Sequence, residues 1–281
     1  MEIKELQSWD DFEEIELKKL IEYRNAIKTK NNLHNPDILV FRGQRSSEWF
    51  LKTTLERHTS KIPNDQYPWS DYFELIKKAR SEIQSIPTAI HWEILDSPEY
   101  SNWYEHRNFL WPHGLLDYMV FLRHHEFPSP YLDWTTSTDV AAYFAFQDVD
   151  LNVNKSVAIF AFLDTSTGTK GIRPAEPNIK RVRLEALIEE RHKRQNSTYT
   201  YCSTESKEGE YYSGHEKVFM GNRKTKHQQD ALWKYIIPSS EKEKVIEKLK
   251  SKSINAFSIL PMGENHQNAE FFQNLFRELG G

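Results

Sequence analysis

The chain has 281 residues, with 37 Lys and Arg against 41 Asp and Glu for a formal net charge of −4, and its residues are 38% hydrophobic and 28% charged. That composition belongs to a soluble globular chain able to bury one large core or two small ones, and it excludes a generally basic nucleic-acid coat while leaving room for a local basic patch. The single cysteine, Cys202, excludes an internal disulfide and a thiolate zinc cluster. No apolar run approaches the roughly 18 residues a membrane span needs. The acidic opening stretch has no secretory core, so a cytoplasmic location without a membrane partner is the expectation.

In chain order, residues 9–31 read as an amphipathic helix that Ser8 and Asp10 can cap, with Phe12, Ile15, Leu17, Leu20, Ile21 and Tyr23 along roughly one face. A strand follows at 37–42. Helices are predicted over 69–85 and 114–125, and "SPYLDW" is short and extended. Thr138 and Asp139 then start a helix, "VAAYFAFQ", apolar nearly all round and therefore buried on most sides. "SVAIFAFLD" (156–164) is the clearest strand, apolar on both faces and so central in a sheet. Residues 165–222 are polar and read as an insertion, with some helix near 183–193 and a mobile segment near 195–210. "ALWKYIIP" and "INAFSILP" read as strands, and "EKEKVIEKLKSK" as an exposed helix with i,i+4 charge pairs. The domain reading is a helical segment over 1–36, one domain over 37–262 that includes the polar insertion, and a closing helix within 263–281. The fold class is α+β, with a mixed, mostly antiparallel central sheet flanked by helices.

Three stretches place polar residues at the edge of an apolar element. The first is Arg42-Gly43-Gln44, followed by Trp49, Thr53 and Arg57. An arginine fork suits pyrophosphate or carboxylate, and glycine lets a ligand approach the backbone. The structural alternative for Arg42 is a salt bridge to an acid such as Asp133. The second is "HHEFPSPYLDWTTSTDVAAYFA", where His124, Asp133, Trp134, Thr135, Thr136, Ser137 and Thr138 precede a helix whose free amides favour an anion or a ribose. Its structural alternative is plain capping by Thr138 or Asp139, with Asp133 tying a turn. The third is "NRKTKHQQDALWKY", where Gln228 stands before a strand. The 11 histidines make no HExxH pattern, the carboxylates no calcium loop, and there is no Walker loop, GxGxxG or GxSxG elbow, so no metal is expected.

Taken together, "FRGQ…W.L.TTLER", "LRHHEFPSPYLDWTTSTDVAAYFAF" and "NR…QQDAL" resemble the FRG-domain family, over about residues 38–235. The family pattern runs roughly FRGQ…W.L…R, then Q-H-y-G-x-P-T-x-L-L-D-W-T…A-L-Y-F-A, then R…Q-x-G-a-F. This chain departs from it with Arg123 for a glutamine, Glu126 for a glycine, Ser129 for a threonine and Asp230 for a glycine. The family in turn looks like a distant relative of the ADP-ribosyltransferase fold, because Arg42, the Thr136-Ser137-Thr138 cluster and Gln228 fall in the order in which that fold places its site residues.

What the resemblance implies is cleavage of the nicotinamide–ribose bond of NAD, the cofactor here being a substrate. The chain would be an NAD-dependent ADP-ribosyltransferase or NAD glycohydrolase, in families some of whose members act as bacterial toxins or anti-phage effectors. His124, Asp133 and Gln228 are the catalytic candidates. Arg42, Gly43, Gln44, Arg57, Trp134, Thr135, Thr136, Ser137, Thr138 and Tyr143 are the candidates for holding the dinucleotide, with Trp134 or Tyr143 against the nicotinamide. The acceptor would be a protein or a nucleic acid. Two other readings stay open: a nucleotide-sensing module without turnover, and a nucleic-acid-acting enzyme using Arg181, Arg183, Arg191, Lys193, Arg194, Arg223, Lys224 and Lys226.

Overall fold

The structure, a computed structural model, describes residues 1–31, 39–58, 67–83, 96–98, 113–164, 176–182, 190–206, 209–219, 230–260 and 276–277. Its centre is a nine-stranded open sheet flanked by helices. The strands are β1 (Glu2–Glu5), β2 (Leu39–Gln44), β3 (Tyr67–Pro68), β4 (Leu132–Thr135), β5 (Ser156–Leu163), β6 (Asn178–Val182), β7 (Ser197–Ser206), β8 (Gly209–Tyr212) and β9 (Ala231–Pro238). They lie in the order β1-β9-β5-β2-β4-β7-β8-β3, with β6 on the other edge of β7, and every pair except the parallel β1–β9 is antiparallel. The α+β class and mostly antiparallel sheet expected from the pattern of elements are therefore present.

The helices are α1 (Leu17–Asn31), α2 (Thr54–His58), α3 (Trp69–Ile83), α4 (His113–His124), α5 (Thr138–Phe146), α6 (Glu190–Gln195), α7 (Lys242–Ser251) and α8 (Ala256–Ile259). β5 is buried along both faces from Val157 to Leu163, as its unbroken apolar run requires. On one face, Val157, Ile159 and Ala161 join Phe12, Leu20, Val245 and the buried side of α5 in one core cluster. On the other, Ala158, Phe160 and Phe162 join Val40, Leu132 and Trp134. A third cluster forms where α3 and α4 meet Tyr199, Tyr201 and Tyr212.

Four local expectations change. A π-helical turn at Asp11–Glu16 precedes α1. Its wider winding rotates the stripe that follows, so Ile15, Ile21 and Tyr23 are exposed while Phe12, Glu16, Leu20 and Ile27 are buried. "INAFSILP" is not a strand, because Asn255 caps α8 by accepting from the Phe257 and Ser258 amides. Where a mobile segment is expected near 195–210, the described residues form β7, paired with β4, β6 and β8. The polar segment 165–222 thus supplies part of the sheet itself. β7 tolerates its hydroxyls because they are bonded inside: the Trp134 indole donates to Thr200 Oγ1 at 2.7 Å, and Thr200 meets His215 Nε2 at 2.9 Å. Cys202 is fully buried in this strand. Apart from 276–277, the predicted closing helix within 263–281 lies outside the described residues.

α5 explains part of the Arg-Gly motif. A Cβ on Gly43 would lie 1.9 Å from the Ala141 carbonyl oxygen and 2.8 Å from the Ala145 nitrogen. Gly43 therefore admits the helix backbone itself, and Ala141 and Ala145, one turn apart, complete the close approach. The helix is started by Ser137, whose Oγ accepts from the Val140 amide, and not by Thr138 or Asp139. Asp139 instead takes an ion pair with Lys252 at 2.8 Å.

Candidate functional site

β2 and β4 pair at one register position, Phe41↔Thr135. Two residues back along β4, Arg42 Nη1 donates to the Asp133 carbonyl at 2.7 Å. Where the two strands part, a cleft of about 820 Å³ opens, lined by both strands, the C-terminal end of α4, one side of α5, the 45–52 segment and the start of β7.

Arg42, Arg57 and Arg123 share this cleft with four acids, Glu48, Glu126, Asp133 and Asp148, and meet at Asp133. Asp133 Oδ2 accepts from Arg123 Nη2 at 2.6 Å and stands 3.7 Å from Arg42 Nη1. The expected Arg42–Asp133 contact thus exists, but Asp133 belongs first to Arg123, and its side chain keeps 37% exposure. Burial brings Arg42 down to about 10 against the pull of Asp133, and repulsion from Arg123 and Arg57 pushes the same way. Burial also works against the charge on Arg123, but Asp133 and Glu126 outweigh it, and its pKa is raised. All three guanidiniums are charged at neutral pH. The Nε atoms of Arg42 and Arg123 are buried without a hydrogen-bond partner. Arg57 is exposed at the mouth, its Nε donating to Thr53 O at 3.4 Å.

Glu126, another of these acids, ends α4 with φ +66. The left-handed turn lets the Glu126 amide bond Arg123 O and the Phe127 amide bond Leu122 O. A glycine would take this conformation without strain; the glutamate instead adds a carboxylate to the cleft.

The remaining predicted residues separate into two groups. His124 lines the cleft, and its Nε2 meets Tyr199 Oη at 2.7 Å; the same hydroxyl lies 3.3 Å from His192 Nδ1. Gln44 is buried, donates to Phe50 O at 3.4 Å and leaves its Oε1 without a partner. Gly43 and Tyr143 also line the cleft. Trp134 lines it too, but is 3% exposed, bonded to Thr200 and packed on Phe162, so no nicotinamide can stack there. Thr135 Oγ1 donates to Gln195 O and accepts from the Ser137 amide. Thr136, Ser137 and Thr138 are not among the described lining residues. Ser137 caps α5, and the Thr136 amide bonds Asn196 O, so the cluster builds the turn into the helix. Gln228 lies outside the described residues, as do Arg183, Arg223, Lys224 and Lys226.

Sequence reasoning missed Arg123, Tyr199 and Glu126 as site residues. Arg123 and Glu126 were visible as departures from the family pattern, and the alternating aromatics of "STYTY" carried the strand signal that places Tyr199. Among the described residues, no group of three or more His, Cys, Asp or Glu could hold a metal, and no helix is long and apolar enough to cross a membrane.

Fold and site define an α+β protein with an arginine-lined cleft at a split in its sheet. Residues 37–153 match the family model of the FRG domain. The match includes Arg42, Arg57, Arg123, His124 and Asp133, and it ends before Tyr199 and before the third block of the expected resemblance. No curated protein and no solved structure matches the chain.

Proposed function

We propose that the cleft binds NAD through its pyrophosphate, and that the chain is an NAD-dependent ADP-ribosyltransferase or NAD glycohydrolase built on an ADP-ribosyltransferase-like sheet. The observation that carries this reading is the gathering of three guanidiniums, Arg42, Arg57 and Arg123, at Asp133 in an open cleft, with two buried Nε donors still unpartnered. A pyrophosphate offers paired oxygens at the spacing a guanidinium fork matches, and partial desolvation strengthens each such bond. The step from phosphate to NAD rests on the FRG family likeness, because the hydroxyl cluster before α5 serves the turn into the helix.

In this reading Arg42 and Arg123 hold the phosphates and Arg57 draws the anion in at the mouth. The nicotinamide–ribose bond breaks with its electron pair leaving on nicotinamide, and an acceptor hydroxyl, amine or water adds to the ribose carbon and loses its proton. His124, bonded to Tyr199, is the group placed to receive or orient that proton. Asp133 orients the guanidiniums and is not a free base, because Arg123 holds it.

One observation favours the second reading, a nucleotide-sensing module: Thr135 and Ser137 are already bonded to backbone, and Trp134 is sealed in the core. The nucleic-acid reading has less support, because Arg181 faces Asp164 at 3.8 Å and Arg194 donates to Phe257 O. Incubation with NAD separates the readings. The expected result is release of nicotinamide, reduced on the order of a hundredfold in a folded Arg42→Ala variant. Bound ADP-ribose with no nicotinamide released, candidate acceptors included, would establish the module in place of the enzyme.

A further inference from the structure

Beside the arginines the 45–52 segment presents two large aromatic rings to solvent. Trp49 is 46% exposed and Phe50 61%, and both line the cleft. Exposed aromatics on a loose loop would mean little, but this segment is held at many points. Ser47 bonds Ser156 through its amide and through its hydroxyl. Lys234 Nζ donates to Trp49 O, and Gln44 donates to Phe50 O. Leu51, 2% exposed, plugs into the core, and its amide donates to Glu216 Oε1 at 2.7 Å. The rings are fixed in place while their neighbour is buried.

Their surroundings are cationic. Arg45 lies over the Trp49 ring at 5.7 Å from its centroid, and Lys52 lies over Phe50 at 5.9 Å. Gln44, which anchors Phe50, is two residues along the strand from Arg42 and on the same face, a separation of about 7 Å. A planar ring, a cation over it and a phosphate grip one short step away make a two-part site: an aromatic base at one end and its phosphates at the other.

We propose that Trp49 is the base-stacking residue of this cleft, receiving the purine of a nucleoside diphosphate unit on the exposed part of its ring, beside Arg45. The assignment rests on the phosphate-gripping reading above and adds to it the part of the ligand that is recognised. It makes the ligand a nucleotide, not pyrophosphate or a phosphorylated sugar alone.

The test is titration calorimetry of the full chain with ADP and, separately, inorganic pyrophosphate. The expected result is that ADP binds more tightly, and that Trp49→Ala removes a preference on the order of tenfold to a hundredfold while leaving pyrophosphate affinity unchanged. Trp49→Phe retains most of the preference, which a structural role for the indole would not. Equal binding of ADP and pyrophosphate by the unaltered chain, or equal weakening of both by Trp49→Ala, would overturn the stacking role and leave the phosphate grip standing. ADP binding that depends on Trp49 without any pyrophosphate binding would support the stacking role and sink the grip. Binding of neither overturns both.

Discussion

Trp134 and Asp133 are neighbours on β4 and project to opposite faces of the sheet, and each anchors a polar network. The Trp134 network runs through Thr200 to His215, every member 3% exposed or less, each named bond between 2.7 and 2.9 Å. The Asp133 network gathers Arg42, Arg123 and Arg57 around a half-exposed carboxylate and leaves two guanidinium Nε atoms unbonded. A polar chain sealed from solvent and bonded from residue to residue specifies the fold. Three guanidiniums drawn to one carboxylate in an open cleft, with donors left over, are arranged for something that comes from outside. The same strand thus carries a structural network and a binding network, one residue apart.

The largest effect expected from breaking this contrast is on the closed side. Thr200→Val keeps the shape and removes the hydroxyl between Trp134 and His215, so it should cost about 3 kcal/mol in denaturant unfolding, with pyrophosphate affinity unchanged. Asp133→Asn should cost less, about 2 kcal/mol, because its carboxylate is partly solvated and its partners stay close to water. Here stability and binding should move in opposite directions: added pyrophosphate should raise the melting temperature of Asp133→Asn more than that of the unaltered chain. If pyrophosphate raises neither, the cleft is not an anion site.

Arg123→Gln, which installs the residue usual in the family pattern, should weaken pyrophosphate binding about tenfold by calorimetry. The smallest effect belongs to Glu126→Gly. Relief of the left-handed φ should stabilise the fold by about 1 kcal/mol, and loss of the carboxylate near Arg123 and Arg57 should tighten pyrophosphate binding a few-fold. A loss of stability on Glu126→Gly would show that the carboxylate, and not the turn, matters more to α4.

The hydropathy pattern made the dry half of the molecule legible. The unbroken apolar run of β5 and the all-round apolar face of α5 are local properties, and both elements stand close to where their residues put them. The polar half was read less well, because its order comes from partners far away in the chain. β7 is rich in Ser, Thr and Tyr, and the indole of Trp134, 66 residues earlier, together with His215 makes the burial of Thr200 tolerable. The hydroxyl cluster before α5 read as ribose-binding until its backbone partners could be seen. Gly43 read as room for a ligand, and is room for Ala141 and Ala145.

By itself the sequence determined the α+β class, the main strands and helices, the FRG motif and an arginine at the end of a strand, since each of these is written in neighbouring residues. Only the tertiary structure decided what Arg42 meets. The Asp133 carbonyl that accepts its bond lies 91 residues away, and Arg123 takes the carboxylate of the same residue from the end of α4. The meeting of three arginines at one acid is a property of side chains brought together by packing, and no local stretch of the chain contains it.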